Sequence, residues 1–94
     1  MDSVKVSGKN RKHKVFMYTI STCAWCKMAK EFLRSGDVEY EYVDVDLCNE
    51  KDREIIRKDI ERRGSRPSYP IVIIDDKTLI NGFHEDKIKE VLEV

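Results

Sequence analysis

The 94-residue chain has few cysteines, no excess charge of either sign and no long apolar run. Three cysteines, two of them in one tight pair, do not resemble the disulfide scaffold of a small secreted protein. Eighteen basic residues balance eighteen acidic ones, which argues against general nucleic-acid binding. No apolar stretch approaches the roughly 20 residues that cross a bilayer, and no secretory signal is present. We therefore expect one soluble domain, monomeric and cytoplasmic, without nucleic-acid or membrane partners.

The first fourteen residues differ in composition from the rest of the chain. They contain five basic side chains, and only Val4 and Val6 could contribute to a core. This composition predicts a mobile basic leader at residues 1–14, with a short extra strand or a docking arm for an acidic partner as alternatives. The remaining residues, 15–94, form the predicted domain.

Hydrophobic periodicity within residues 15–94 predicts alternating strands and helices. Short apolar or β-branched runs predict strands, and charged stretches with apolar residues at helical spacing predict helices. The two first strands are separated by a helix, so they should be parallel, whereas the last two form a hairpin. The predicted class is α/β, with a four-stranded mixed sheet flanked by helices in the order β-α-β-α-β-β-α. The predicted elements are strands at 15–20, 40–45, 71–74 and 78–80, helices that end near 35 and 63, and a final helix after the turn at Gly82.

Two cysteines lie at the predicted turn between the first strand and the first helix. Cys23 and Cys26 enclose Ala24 and Trp25. A helix N-terminus supplies free N–H groups and about half a positive charge, which stabilise a thiolate. The thiolate is the form that attacks a disulfide. The spacing therefore predicts that Cys23 is the nucleophile and that Cys26, one turn later, resolves the mixed disulfide.

With this order of elements, a CxxC turn and Tyr69-Pro70 before the third predicted strand, the chain resembles the thioredoxin superfamily and, within it, the glutaredoxins. Gly82-Phe83, with the acidic residues that follow, is similar to the same segment of NrdH-type redoxins and small archaeal glutaredoxin-like proteins. The resemblance covers about residues 14–94. It implies a thioredoxin-like fold and a thiol–disulfide oxidoreductase that reduces protein or small-molecule disulfides in electron transport and cell redox homeostasis.

The resemblance also implies a site that binds a thiol or an extended peptide. Pro70 would be cis and face the dithiol, so that the backbone of Tyr69 pairs with the ligand. Other matching positions would supply an apolar wall, a partner for a carboxylate or sulfonate, and a hold on an amino group. They are Trp25, Arg66, Gly82, Phe83 and Glu85.

The electron donor is left open by the residues around the dithiol. Several positions at which glutathione-using glutaredoxins carry a characteristic residue differ here. We expect no bound cofactor, and an external donor that is glutathione, coenzyme M, a similar small thiol or a flavin-dependent thioredoxin reductase. The expected partners are proteins that contain disulfides, with ribonucleotide reductase as one candidate.

Metal binding through the cysteines is the alternative function. Structural zinc normally needs four ligands, so Cys48 and a histidine would have to converge on Cys23 and Cys26, and an iron–sulfur cluster would have to bridge two chains. We expect instead that no metal is bound and that Cys48 is a buried, inert thiol.

Overall fold

The computed structural model describes residues 2–94. These residues contain five strands and three α-helices. A short 3₁₀ turn, Val45–Leu47, links the third strand to the second helix. No helix within these residues is long and apolar enough to cross a bilayer. The elements in chain order are β1 Val4–Val6, β2 Val15–Thr19, α1 Ala24–Ser35, β3 Tyr40–Asp44, α2 Glu50–Arg62, β4 Ile71–Ile74, β5 Thr78–Asn81 and α3 Glu85–Leu92.

The strands form one mixed sheet in the order β1-β3-β2-β4-β5. Strand β2 is parallel to β3, with Met17 opposite Tyr42, and antiparallel to β4, with Met17 opposite Val72. Strands β4 and β5 form the hairpin. The predicted α/β class, the parallel β-α-β unit and the thioredoxin-like fold are thus confirmed.

The sheet has five strands, so the expected count of four was wrong. The additional strand is β1, which pairs antiparallel with β3. Farther along, the Asn10 N–H donates to the carbonyl of Asp37 at 2.9 Å. Gly8 lies between β1 and Asn10. A Cβ atom at position 8 would lie 2.6 Å from the Asp37 carbonyl oxygen, so only glycine fits there. Strand β1 confirms that the first fourteen residues contain a short extra strand. Its pairing covers the otherwise open edge of β3. Met1 lies outside the described residues, and the boundary at residue 14 stays a prediction.

Two apolar layers cover the two faces of the sheet. Helices α1 and α3 pack on one face, where Ala29, Leu33 and Ile88 are fully buried. Helix α2 packs on the other face through Ile56 and Ile60. Helices lie on both faces because strand β4 is buried throughout and β2 is buried at all but one position, which leaves little sheet surface in water. The dithiol turn lies where β2 ends and α1 begins.

Not every apolar residue of the helices reaches the core. Ile55, which is adjacent to Ile56 in α2, remains 48% exposed. Val91 in α3 is only partly buried and packs against the cluster that contains Ile88 and Leu92. One apolar face per helix is therefore enough to cover the sheet.

Candidate active site

Cys23 is the N-cap residue of α1, and its sulfur lies at the first turn of the helix. Its Sγ accepts a hydrogen bond from the Cys26 N–H at 3.2 Å, while its carbonyl accepts one from the Lys27 N–H at 3.1 Å. Its own N–H donates to the Ile20 carbonyl at 3.1 Å, which fixes the turn after β2. The side chain is partly exposed. A substrate can therefore reach the Cys23 sulfur, which lies at the N-terminus of α1.

Cys26 has the opposite environment, although it lies only three residues away. It is 0% exposed and lies on the side of α1 that faces the sheet. Burial, together with the hydrogen bond to Cys23, raises the pKa of its thiol to about 12. At neutral pH, Cys26 is thus a protonated thiol. The structure contains the dithiol in its reduced form, with both cysteines free.

Trp25 lies on the lip of the site, as its position between the cysteines predicts. Its side chain is 59% exposed. A ring with this much exposed surface is available to pack against a partner, because aromatic side chains bring a large apolar area to an interface.

The Tyr69–Pro70 peptide bond is cis, so the isomer that the family resemblance implied is confirmed. Pro70 is fully buried and immediately precedes β4, and its carbonyl accepts the Gly82 N–H at 2.7 Å. Gly82 has a φ of 83°, a conformation that favours glycine. Burial raises the pKa of the Tyr69 phenol, and a charge on Cys26 would raise it further. The hydrogen bond between Gly82 and Pro70 thus joins the Gly82 turn to the start of β4.

Asn81 holds this loop in place, and the sequence analysis missed it. Its Nδ2 donates to the carbonyls of Arg66 and Ser68 at 3.2 and 3.3 Å, and its Oδ1 accepts from the Ser65 hydroxyl. Asparagine suits the role because one amide group carries both donors and acceptors. Its place beside Gly82 at the end of a predicted strand was the available signal. The Arg66 side chain itself is exposed on this loop.

Phe83 and Glu85 lie in a neighbouring groove between α1 and α3. The Phe83 ring meets that of Phe32 edge-on, with 6.0 Å between centroids. Glu85 pairs with Lys89 of its own helix at 3.3 Å. The groove encloses about 480 Å³ and also includes Met28. These two predicted thiol-binding residues thus line a surface along α1 that is separate from the Tyr69–Pro70 loop.

A polar cluster at the ends of β2 and β3 was also absent from the sequence analysis. The fully buried Thr19 hydroxyl donates to the Asp44 carboxylate at 2.6 Å. The Lys30 ammonium lies 3.6 Å from the same carboxylate and 3.7 Å above the Tyr42 ring. The positive charge of Lys30 also lowers the pKa of Cys26, but by less than burial raises that pKa.

The third cysteine lies apart from the dithiol. Cys48 is partly buried, donates to the Asp44 carbonyl at 3.5 Å, and has a pKa that burial raises. Within residues 2–94, no group of three or more histidine, cysteine or acidic side chains is placed to hold a metal ion. The metal-binding alternative therefore has no ligand cluster in its favour in this part of the chain.

Known proteins with similar sequences and structures include glutaredoxins and glutaredoxin-like proteins. Residues 15–79 match the family model for glutaredoxin. A glutaredoxin-like 8.6 kDa protein of the Clostridium pasteurianum rubredoxin operon is 32% identical over 82% of this chain and 95% of its own.

Two solved structures are similar along nearly their whole length. The glutaredoxin of Methanosarcina mazei Go1 has a TM-score of 0.87 and 38% identity, over 98% of this chain and 88% of its own. Methanoredoxin of Methanosarcina acetivorans has a TM-score of 0.80 and 37% identity, over 93% and 90% of the two chains.

Proposed function

Because this chain belongs to the glutaredoxin family, we propose that it is a thiol–disulfide oxidoreductase that reduces disulfides through Cys23 and Cys26. The observation that carries this proposal is the contrast between the two sulfurs. One is accessible at a helix N-terminus, whereas the other is fully buried and has a pKa of about 12. This contrast separates an attacking cysteine from a resolving one.

In the first step, the Cys23 thiolate attacks one sulfur of the substrate disulfide. A bond forms between Cys23 and that sulfur, and the substrate S–S bond breaks. The departing sulfur leaves as a thiolate with the bonding electron pair and takes a proton from solvent. Tyr69 and Pro70 are the residues that we propose to bind the substrate backbone at this stage, the role that membership of the glutaredoxin family implies.

In the second step, Cys26 passes its proton to the departing substrate sulfur through solvent and attacks the Cys23 sulfur, which breaks the bond between Cys23 and the substrate. The Cys23–Cys26 disulfide forms and the second substrate thiol is released, so two electrons have passed from the protein to the substrate. Cys26 is suited to this role because its backbone N–H already contacts the Cys23 sulfur at 3.2 Å. Its high pKa limits reaction with other disulfides, since the neutral thiol is a poor nucleophile.

An external donor then returns two electrons to the protein disulfide. The candidates are two molecules of a small thiol, such as glutathione or coenzyme M, or a flavin-dependent reductase. Reduction of the oxidised protein by each donor under the same conditions would distinguish them. The substrates that we propose are protein disulfides, with that of ribonucleotide reductase as a specific candidate to assay.

Replacement of single cysteines tests the mechanism. We expect Cys23→Ser to abolish disulfide reduction and Cys26→Ser to accumulate a mixed disulfide with a protein substrate, detectable by mass spectrometry. Cys48→Ser is the matched control and should retain turnover, because Cys48 lies apart from the dithiol. Wild-type turnover by Cys23→Ser would disprove the mechanism.

A further inference from the structure

The flank of α1 that faces strands β1 and β3 carries a row of basic side chains. Lys27, Lys30 and Arg34 follow one another at spacings of three and four residues, which places them on one side of the helix. With Val6 and Tyr42 opposite, they line a groove of about 420 Å³. We call this the basic groove. Val6 belongs to β1, so the additional strand forms part of its wall.

The two outer cations of the basic groove have no ion pair with any residue from 2 to 94. Lys30, in the middle, pairs with Asp44. Lys27 and Arg34 are exposed, and Glu31 is the carboxylate among the lining residues. Two unpaired cations therefore face one carboxylate, and the groove is positive although the formal net charge of the chain is zero.

The length of the groove indicates what kind of anion fits it. Lys27 and Arg34 are seven residues apart in a helix that rises about 1.5 Å per residue, so their backbones are separated by about 10 Å along the axis. A single carboxylate cannot pair with both. An extended peptide rises about 3.3 Å per residue and directs alternate side chains to one side, so three or four of its residues span this distance.

We propose that the basic groove binds an extended acidic segment of a substrate protein, next to the disulfide that Cys23 attacks. The groove starts one helical turn from Cys23, since the Lys27 N–H donates to the Cys23 carbonyl at 3.1 Å and residues four apart lie on the same side of a helix. The inference rests on the proposed reductase function, which it deepens by stating a substrate class. Acidic side chains pair with Lys27 and Arg34, while their methylene groups lie against Val6 in the wall of the groove.

Peptide binding tests the groove without any redox step. A fluorescent peptide with glutamates at alternate positions and serine in place of cysteine is titrated with reduced protein, and a glutamine version of it serves as the comparison. We expect Lys27→Gln and Arg34→Gln each to weaken binding of the acidic peptide about threefold, with a smaller difference at high salt. Lys87→Gln removes an exposed cation on α3 and is the matched control. Equal binding of the two peptides, or an equal effect of Lys87→Gln, would overturn the proposal.

A kinetic measurement separates this inference from the proposed function. Both peptides are made as disulfides, and the ratio of their kcat/KM values is measured for wild type and Arg34→Gln. We expect the ratio to favour the acidic peptide and to fall in the variant. If both disulfides are reduced equally well by both proteins, the groove proposal fails and the reductase proposal stands. If neither is reduced while Arg34-dependent binding persists, the reductase proposal fails instead.

Discussion

The two faces of the sheet differ in how their polar side chains are engaged. On the α2 face, the Tyr18 hydroxyl donates to Asp59 at 2.7 Å, and Arg63 bridges Asp59 and Asp76 at 3.2 and 2.7 Å. On the α1 face, Cys23 is partly exposed and Trp25 is mostly exposed. Polar groups on the α2 face thus bind one another and stabilise the fold. Those at the start of α1 remain available to a partner.

The comparison predicts that damage to the α2 face lowers stability and leaves activity intact. Asp59→Asn removes the charged partner of Tyr18, Arg62 and Arg63. We expect it to lower the free energy of unfolding by about 1–3 kcal/mol, measured by urea denaturation, because partly buried groups lose charged hydrogen bonds. Turnover per folded molecule should stay within about twofold of wild type, since a change on this face does not reach the dithiol.

Glu54→Gln is the control on the same helix. It breaks the exposed contact with Arg57 and should cost less stability than Asp59→Asn. If Asp59→Asn lost more than about twofold in turnover per folded molecule, the distinction between the two faces would be wrong.

Acid should weaken the same network in wild type more than in Asp59→Asn. Burial alone would raise the pKa of Asp59, but hydrogen bonds from Tyr18, Arg62 and Arg63 lower it on balance. A carboxyl whose folded pKa lies below its unfolded value of about 4 stabilises the fold above that pH, and this contribution is lost as the pH falls through the folded pKa. Below about pH 4, we expect the unfolding free energy of wild type to fall more steeply with pH than that of Asp59→Asn. Circular dichroism during urea denaturation measures both. Parallel curves for the two proteins would contradict this contribution.

Trp25→Ala should have the smallest effect on stability and a selective effect on activity. The side chain is 59% exposed, so the free energy of unfolding should change by less than about 0.5 kcal/mol. We expect kcat/KM to fall about threefold for a protein disulfide and less for a small one, because only the protein can pack against the ring. Equal losses for both substrates would remove Trp25 from partner recognition.

Much of the fold could be predicted because its signals are local. The β-branched run of β4 and the helical spacing of apolar residues depend on neighbours in the chain, and α1 ends at Ser35 as predicted. Strand β1 has no comparable signal, since Val4 and Val6 alone do not define a strand. It forms because the edge of β3 is available, and that edge is about 35 residues away in sequence.

In the candidate site, too, the features set by local sequence could be predicted and those set by distant contacts could not. The position of Cys23 at a helix N-terminus followed from the turn after β2, and the cis bond at Pro70 followed from the family resemblance. The complete burial of Cys26 and the contacts of Asn81 depend on packing between distant segments. The thiol-binding roles stay predictions for all seven residues, namely Trp25, Arg66, Tyr69, Pro70, Gly82, Phe83 and Glu85.

Cys23 is accessible, whereas the Cys26 thiol is buried and protonated, and alkylation tests this difference directly. Reduced protein is treated with iodoacetamide between pH 6 and pH 9, and modification of each cysteine is followed by peptide mass spectrometry. We predict that Cys23 is modified in the native protein, whereas Cys26 is protected across this range and reacts at a comparable rate only after unfolding. Modification of Cys26 as fast as Cys23 in the native protein would contradict the account.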